Sequence, residues 1–234
     1  MAKGFFITGT DTGVGKTVIT AALIKSVQTF GLRVCGMKPI ETGCLREDET
    51  LIPSDGMFIK KISRMEETEN DVSPCRFENP LAPFPAAEIK GRPVSLEKVH
   101  KVYHTLSRKY DAVMVEGIGG LLVPVTRDYF VLDLAKDFGL PVIVVGRPGL
   151  GTINHTMLTV KYAINEGLVV AGIIINYHHP PDSSLAEATN PEVLTKISPV
   201  PLIGVFPHLK DLSAQAIEEA ALQNLDLDII RSYL

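Results

Sequence analysis

The chain has 234 residues, 45% hydrophobic and 21% charged, enough to bury a sizeable core within one ordinary globular domain. A net charge of −4, with acidic and basic residues interspersed, excludes an electrostatic footprint for nucleic acid or anionic lipid. No apolar stretch approaches ~18 residues, which excludes a transmembrane helix. The start lacks the shape of a signal peptide, and Cys35, Cys44 and Cys75 form no Cys-x-x-Cys pair. They read as reduced thiols, and the expected compartment is the cytoplasm.

Apolar runs alternate with amphipathic stretches along the chain, the pattern of a parallel sheet wrapped by helices on both faces. Strands are predicted at 5–8, 33–37, 112–115, 142–145, 170–175 and 202–205, rich in Val and Ile and so buried on both faces. Helices are predicted at about 16–30, 96–108, 131–137, 153–166 and 192–197, with a last one at 213–222. Ser95 suits the N-cap of the second, and Asn190-Pro191 suits a cap and first-turn proline for the fifth. The acidic segment 226–234 reads as a tail or edge segment. Between 40 and 93 the sequence is rich in proline and shows one short helix at 54–62, which reads as a functional excursion or lid. One domain over residues 1–234 is the expectation.

The first strand runs into Gly9-Thr10-Asp11-Thr12-Gly13-Val14-Gly15-Lys16-Thr17 and then into a helical pattern. In that context Gly-Lys-Thr is a phosphate cradle, since backbone N–H groups at the turn and helix start converge on one spot. Lys16 would reach the β- and γ-phosphates, and the Thr17 hydroxyl would hold magnesium. Five residues separate Gly9 from Gly15, one more than in the common form.

Ligands of open parallel sheets lie beyond the carboxyl ends of the strands. There the sequence supplies Lys38-Pro39-Ile40-Glu41-Thr42-Gly43, Glu116-Gly117-Ile118-Gly119-Gly120 and Asn176. Glu116 ends an apolar run as the acidic residue of a Walker B strand does, and a carboxylate there can bind magnesium. Lys38 offers a second ammonium beside Lys16 for charge developing in phosphoryl transfer. Asp55 is either a metal ligand or, with Ser54, the cap of a short helix. Thr42 can bond a substrate or its own backbone. The run from Gly149 to His155 enters a helix whose start is either an anion pocket or a turn capped by Thr152. His155, His178 and His179 show no metal-ligand spacing and are read as non-catalytic.

Together these motifs resemble the dethiobiotin synthetase family. The resemblance rests on residues 9–17, Lys38-Pro39 with Thr42-Gly43, Glu116-Gly117 with Gly119-Gly120, Gly151-x-x-Asn154-His155 and Leu202-x-Gly204-x-x-Pro207. It implies an α/β fold of the P-loop NTPase type, with a mainly parallel central sheet. It also implies an ATP- and magnesium-dependent ligase that closes the ureido ring of dethiobiotin from 7,8-diaminononanoate and carbon dioxide, through a carbamate and a carbamic–phosphoric anhydride.

Carried over residue by residue, the resemblance makes Lys16, Lys38 and Thr12 the catalytic candidates. Gly13, Val14, Gly15, Thr17, Val18, Gly117, Ile118 and Gly119 would join Lys16 around ATP, with Asn176, Val205, Phe206 and Pro207 at the adenine. Thr17, Asp55 and Glu116 would hold magnesium. Thr12, Lys38 and Thr42, with Gly151, Thr152, Ile153 and Asn154 from a second subunit, would bind the diamine in a homodimer. Two positions depart from the pattern. Gly13 stands where some relatives carry glutamate, and Tyr177 where aspartate is often found, which bears on base selectivity.

The rival reading is a partner-regulated switch ATPase of the partitioning or cell-division type. Such proteins carry a further lysine early in the phosphate loop, where Thr10 stands here, and the acidic C-terminus offers no basic membrane helix. A GTPase lacks support because no Asn-Lys-x-Asp is present. A cobyrinate-type amide synthetase would need a glutaminase domain for which this chain is too short, although a separate subunit could supply it.

Overall fold

A strand apolar at every position must be covered on both sides, and in the computed structural model helices do this for each central strand. The structure describes residues 3–182 and 184–234. The chain begins with β1 (Lys3–Gly9), α1 (Lys16–Gln28) and β2 (Val34–Met37). It then makes an excursion through β3 (Ile40–Thr42), β4 (Leu45–Glu47), β5 (Thr50–Ile52), α2 (Ser54–Ser63), α3 (Glu69–Val72), β6 (Cys75–Phe77) and α4 (Pro83–Lys90). It returns through α5 (Leu96–Lys109) to β7 (Ala112–Glu116), then β8 (Pro124–Thr126), β9 (Tyr129–Phe130) and α6 (Val131–Phe138). The last part is β10 (Val142–Gly146), α7 (Thr152–Asn165), β11 (Val170–Asn176), α8 (Leu185–Ile197), β12 (Leu202–Phe206), α9 (Ala214–Asn224) and α10 (Leu227–Ser232).

The six predicted strands form one parallel sheet in the order β12-β11-β10-β1-β7-β2 among the described residues. Because successive side chains point to opposite faces, Phe6, Val113, Val115, Val144 and Ile173 enter one core with α5, α6 and α7. Phe5, Ile7, Met114, Ile143 and Ile174 enter the other with α1, α2, α9 and α10. Phe5, Phe6 and Ile7 are fully buried, and each such side chain stabilises the fold by about 1.5–3 kcal/mol. The sheet therefore provides a rigid rim. Its central strand, β1, lies between β10 and β7 and points its carboxyl end, with the phosphate loop, at that rim.

Three sequence expectations are corrected. The fifth helix starts at Leu185, not near 192; Ser184 is its cap, accepting from the Glu187 N–H, and Pro191 lies inside it. Asn190 is no cap: its buried amide donates to the carbonyls of Pro148 and Gly149, at 2.7 and 3.2 Å. Segment 226–234 is not a tail, since Asp226 caps α10 by accepting from the N–H groups of Asp228 and Ile229. The excursion holds two further helices and four short strands beside the predicted α2, with β3 paired parallel to β6 and β4 antiparallel to β5. Ser95 caps α5 as expected, accepting from the Lys98 N–H. No described helix is long and apolar enough to cross a membrane.

Candidate active site

The phosphate loop leaves β1 through two backbone bonds to its neighbours. Gly9 N–H donates to the Gly119 carbonyl and Thr10 N–H to the Val145 carbonyl, at 3.2 and 2.9 Å. The loop closes on Gly15, which adopts φ 84°, ψ 34° and forms the N-cap position of α1. Only glycine suits this site: a Cβ there would stand 2.1 Å from the Asn176 side-chain nitrogen. That buried amide, at the end of β11, donates to the Val14 carbonyl at 2.8 Å. No described side chain caps α1, and no acidic residue lies in its first turn, so its leading N–H groups and dipole face the loop.

Lys16, the first residue of α1, is buried and curls back to donate to the Asp11 carbonyl at 3.0 Å. Burial, and then the nearby Lys38 ammonium, lower its pKa from 10.5 to about 8. Thr17 donates its hydroxyl to Glu116 Oε1 at 3.0 Å, joining α1 to the end of β7. Val18 packs on the core beneath α1.

Lys38 leaves β2 with its side chain only 5% exposed. Its Nζ contacts Glu116 Oε1, lies 3.1 Å from Asp55 Oδ2 and donates to the Gly117 carbonyl at 3.4 Å. Burial opposes its charge, but Glu116 and Asp55 outweigh this and hold the ammonium above its ordinary range. Burial likewise pushes the Glu116 carboxyl upward, against the pull of Lys38. Lys38 is thus a fixed ammonium with two carboxylates at its tip, close enough to Lys16 to weaken that lysine's charge.

Neither Ser54 nor Asp55 caps α2, whose N-cap position is Pro53. The Asp55 carboxylate instead faces Lys38 and remains 43% exposed. Glu116 Oε2 is buried and has no hydrogen-bond partner among the described residues. A buried carboxylate oxygen with nothing on it, beside a hydroxyl and a second carboxylate, fits a hard cation that completes its shell with phosphate oxygens and water. Among the described residues there is no group of three His, Cys, Asp or Glu that could hold a metal ion.

The other predicted residues line the same rim. Gly117 N–H donates to the Ile7 carbonyl, and Gly119 takes φ 60°. Ile118 is half-buried on the core. Thr12 is exposed at the loop, where its N–H bonds the Asp11 carboxylate at 2.7 Å. Thr42 ends β3, half-buried. Val205 and Phe206 end β12 beside Asn176, with Pro207 next; Phe206 is fully buried, while Val205 and Pro207 are half-buried. Gly151, with φ 92°, is the N-cap position of α7, so Thr152 is not its cap. The Thr152 hydroxyl is buried against that of Thr156. Ile153 is half-buried and Asn154 exposed.

A cavity of about 540 Å³ opens beside the loop, lined by Asp11, Thr12, Gly120, Leu122, Leu158 and Tyr162 among others. A larger one, about 780 Å³, lies in the excursion among Arg46, Arg76, Arg92 and Lys98 and shares no residue with the phosphate loop. There Arg76 donates to the carbonyls of Ser73 and Leu51, and Lys98 to that of Pro74.

Two residues gain roles that sequence reasoning missed. Glu41 reaches from β3 to the start of α2, a contact across 14 residues with no local signature. Tyr177 donates its hydroxyl to the Glu187 carbonyl at 3.4 Å. That carbonyl is the one Pro191, four residues on, cannot bond for want of an N–H.

Comparison with known proteins agrees with this geometry. Residues 3–216 match the family model described as an AAA domain. The chain is 46% identical to the ATP-dependent dethiobiotin synthetase BioD of Thermodesulfovibrio yellowstonii, covering 99% of this chain and 100% of that one. It is 41% identical to the protein of the same name from Bacillus licheniformis, over 99% and 97% of the two chains. Among solved structures it is similar to the septum site-determining protein MinD of Pyrococcus horikoshii, at TM-score 0.55 and 18% identity over 95% of this chain and 96% of that one. It is also similar to a ParA family ATPase of Chlorobium tepidum, at TM-score 0.53 and 16% identity over 97% and 92%. The last two likenesses establish the P-loop fold and nothing further, whereas identity near 40% over whole chains establishes kinship. The chain therefore belongs to the ATP-dependent dethiobiotin synthetase family.

Proposed function

We propose that this chain, as one domain acting in the cytoplasm, closes the ureido ring of dethiobiotin from 7,8-diaminononanoate, carbon dioxide and ATP. The observation that carries this reading is the Lys38 ammonium, buried between Glu116 and Asp55 and coupled to Lys16. One substrate amine adds to carbon dioxide and loses a proton, giving a carbamate. A carbamate oxygen attacks the γ-phosphorus and ADP departs. The second amine then attacks the carbamoyl carbon, expels phosphate and loses its proton.

Carbamate and γ-phosphate are both anions, so their approach calls for fixed positive charge on either side. Lys16 closes the phosphate loop at the start of α1, and Lys38 faces the same rim from the next-but-one strand of the sheet. Thr17, Asp55 and Glu116 would hold magnesium, which supplies charge neutralisation to the phosphates. Thr12 and Thr42 offer hydroxyls to the carbamate or diamine. Gly13 leaves that side of the loop open, where a glutamate would otherwise contact an amine. Asn176 and the backbone at 205–207 would receive the adenine, so that much of the rate would come from placing three reactants in line.

We further infer a homodimer in which the uncapped start of α7, at Gly151, Thr152, Ile153 and Asn154, receives the substrate carboxylate held mainly by the other subunit. Mixing Lys38→Ala with Asn154→Trp should restore part of the activity that each has lost; no recovery would remove the shared site.

The decisive experiment is mass spectrometry of the product formed from ATP, labelled bicarbonate and 7,8-diaminononanoate. Label retained in a ring-closed ureido product is expected, with phosphate release requiring both diamine and bicarbonate. Phosphate release indifferent to the diamine but stimulated by a protein partner would replace this reading with the switch ATPase.

A further inference from the structure

We propose that Glu41 is a positioning residue of this site: from β3 its carboxylate grips the start of α2 and so fixes Asp55 against Lys38. The inference rests on the reading that Asp55 and Lys38 serve magnesium and phosphate. Glu41 is itself only 5% exposed. Its Oε1 accepts from the Asp55 N–H at 2.8 Å, and its Oε2 accepts from the Gly56 N–H at 3.0 Å and the Ser73 hydroxyl at 3.2 Å. These three bonds leave neither oxygen idle. They also supply, from outside the helix, the acceptor that Pro53 at the N-cap position cannot provide.

The geometry carries a consequence for the reacting groups. Asp55 is 43% exposed, and among the described residues its side chain makes one ion pair, with Lys38 at 3.1 Å. An exposed aspartate on an unanchored turn loses rotamer and backbone freedom each time it is drawn to a ligand. With its own amide held by a buried carboxylate, most of that loss is met on folding. Gly56 lets the anchor close: a Cβ there would stand 2.3 Å from the Ser73 hydroxyl. Glu41 lies on the segment that follows Lys38, so one stretch of chain carries the ammonium and the clamp for its carboxylate partner.

The test is a cycle of Glu41→Gln, Asp55→Asn and the double variant, read by steady-state turnover and by calorimetric binding of ADP with magnesium. Glutamine keeps the size but sets an N–H₂ against one of the amide N–H groups. Supporting groups of this kind typically weigh about 10-fold or more in metal affinity or activity. The magnesium requirement, in turnover and in ADP binding alike, should therefore rise about 10-fold, with kcat lowered and the KM for the diamine within about twofold. In the Asp55→Asn background the further change should vanish, because Glu41 acts through Asp55. Ser73→Ala, which removes one bond to the same carboxylate, should shift the magnesium requirement in the same direction by less, and serves if Glu41→Gln does not fold. Additive effects in the cycle, or magnesium titrations unmoved in Glu41→Gln or Ser73→Ala while Asp55→Asn moves, would overturn the inference alone. A titration unmoved by Asp55→Asn itself would overturn the metal reading, and the inference with it.

Discussion

The two carboxylates that meet Lys38 stand on very different supports. Glu116 ends a strand hydrogen-bonded on both sides, to β1 and β2, and is 1% exposed. Asp55 opens a helix in the proline-rich excursion, is 43% exposed, and is placed by a carboxylate borrowed from β3. The rim thus supplies a charge that cannot move, and the excursion a charge that water can reach. On the proposed function, a site that admits phosphate and expels it, with magnesium bound reversibly, would use both kinds. The contrast can be broken by changing each side in turn.

The largest effect is expected at the rim. Lys38→Ala should lower turnover by about 100-fold or more while ATP still binds, the scale of losing one preorganised charge donor. It should also destabilise the fold by several kcal/mol, on the order of 3–5 for a buried charge left without its partner, unless Glu116 takes a proton. Asp55→Asn should cut turnover yet move the melting temperature little, since its carboxylate is half in water. Equal losses of melting temperature in the two variants would erase the distinction between rim and excursion.

Gly15→Ala comes next. Its positive φ and the 2.1 Å approach of Asn176 leave no room for a methyl group without breaking the bond from Asn176 to Val14. A loss of about 1–3 kcal/mol is expected in urea unfolding, together with weaker nucleotide binding. Alanine tolerated at full stability would mean that the end of β11 can yield, and that the rim is softer than its hydrogen bonds imply.

What could be read from the sequence divides along the same line. Strand, loop and helix at residues 5–30 follow from local pattern, because the phosphate loop is built from residues adjacent in the chain. Glu116 and Asn176 were marked by apolar runs that simply stop at a polar residue. Inside the excursion the signals fail for physical reasons. The strands there are three residues long, too short for any period to register, and Glu41, Asp55, Ser73 and Lys38 meet only after folding. The start of α8 was misplaced because Asn190-Pro191 has the chemistry of a cap, while the tertiary contact that makes an internal proline tolerable comes from Tyr177.

The depressed pKa of Lys16 gives the rim a pH signature. An unfolded lysine keeps its proton to about 10.5, whereas folded Lys16 gives it up near 8. Between those values the unfolded state binds more protons, so this group makes stability rise with pH, by at most about 1.4 kcal/mol per pH unit. Below pH 8 both states are protonated, and the cost of burying the charge is fully present. Lys16→Met should flatten that rise in the ligand-free protein, as measured by urea midpoints from pH 7.5 to 10. Nucleotide phosphates would restore the charge, so ADP binding near pH 9 should take up protons in calorimetry across buffers of different ionisation enthalpy. Absence of that uptake would mean that Lys16 is not the cation meeting the phosphates.

Tyr177→Phe carries the smallest expected effect and separates two accounts of one residue. Its hydroxyl bonds the Glu187 carbonyl, which Pro191 leaves without a helical donor, and that carbonyl belongs to α8, not to the nucleotide rim. If the hydroxyl only satisfies the helix, its removal costs about 0.5–1.5 kcal/mol, the net worth of a single neutral hydrogen bond. Pro191→Ala, which restores the missing N–H, should then cancel most of the loss in the double variant, since the carbonyl regains a partner. Turnover with ATP relative to other nucleoside triphosphates should stay as it was, because the adenine contacts are assigned to Asn176 and the backbone of β12. A changed preference among nucleotides in Tyr177→Phe would instead give this tyrosine a part in reading the base, and would extend the reacting site from the sheet rim onto the face of α8.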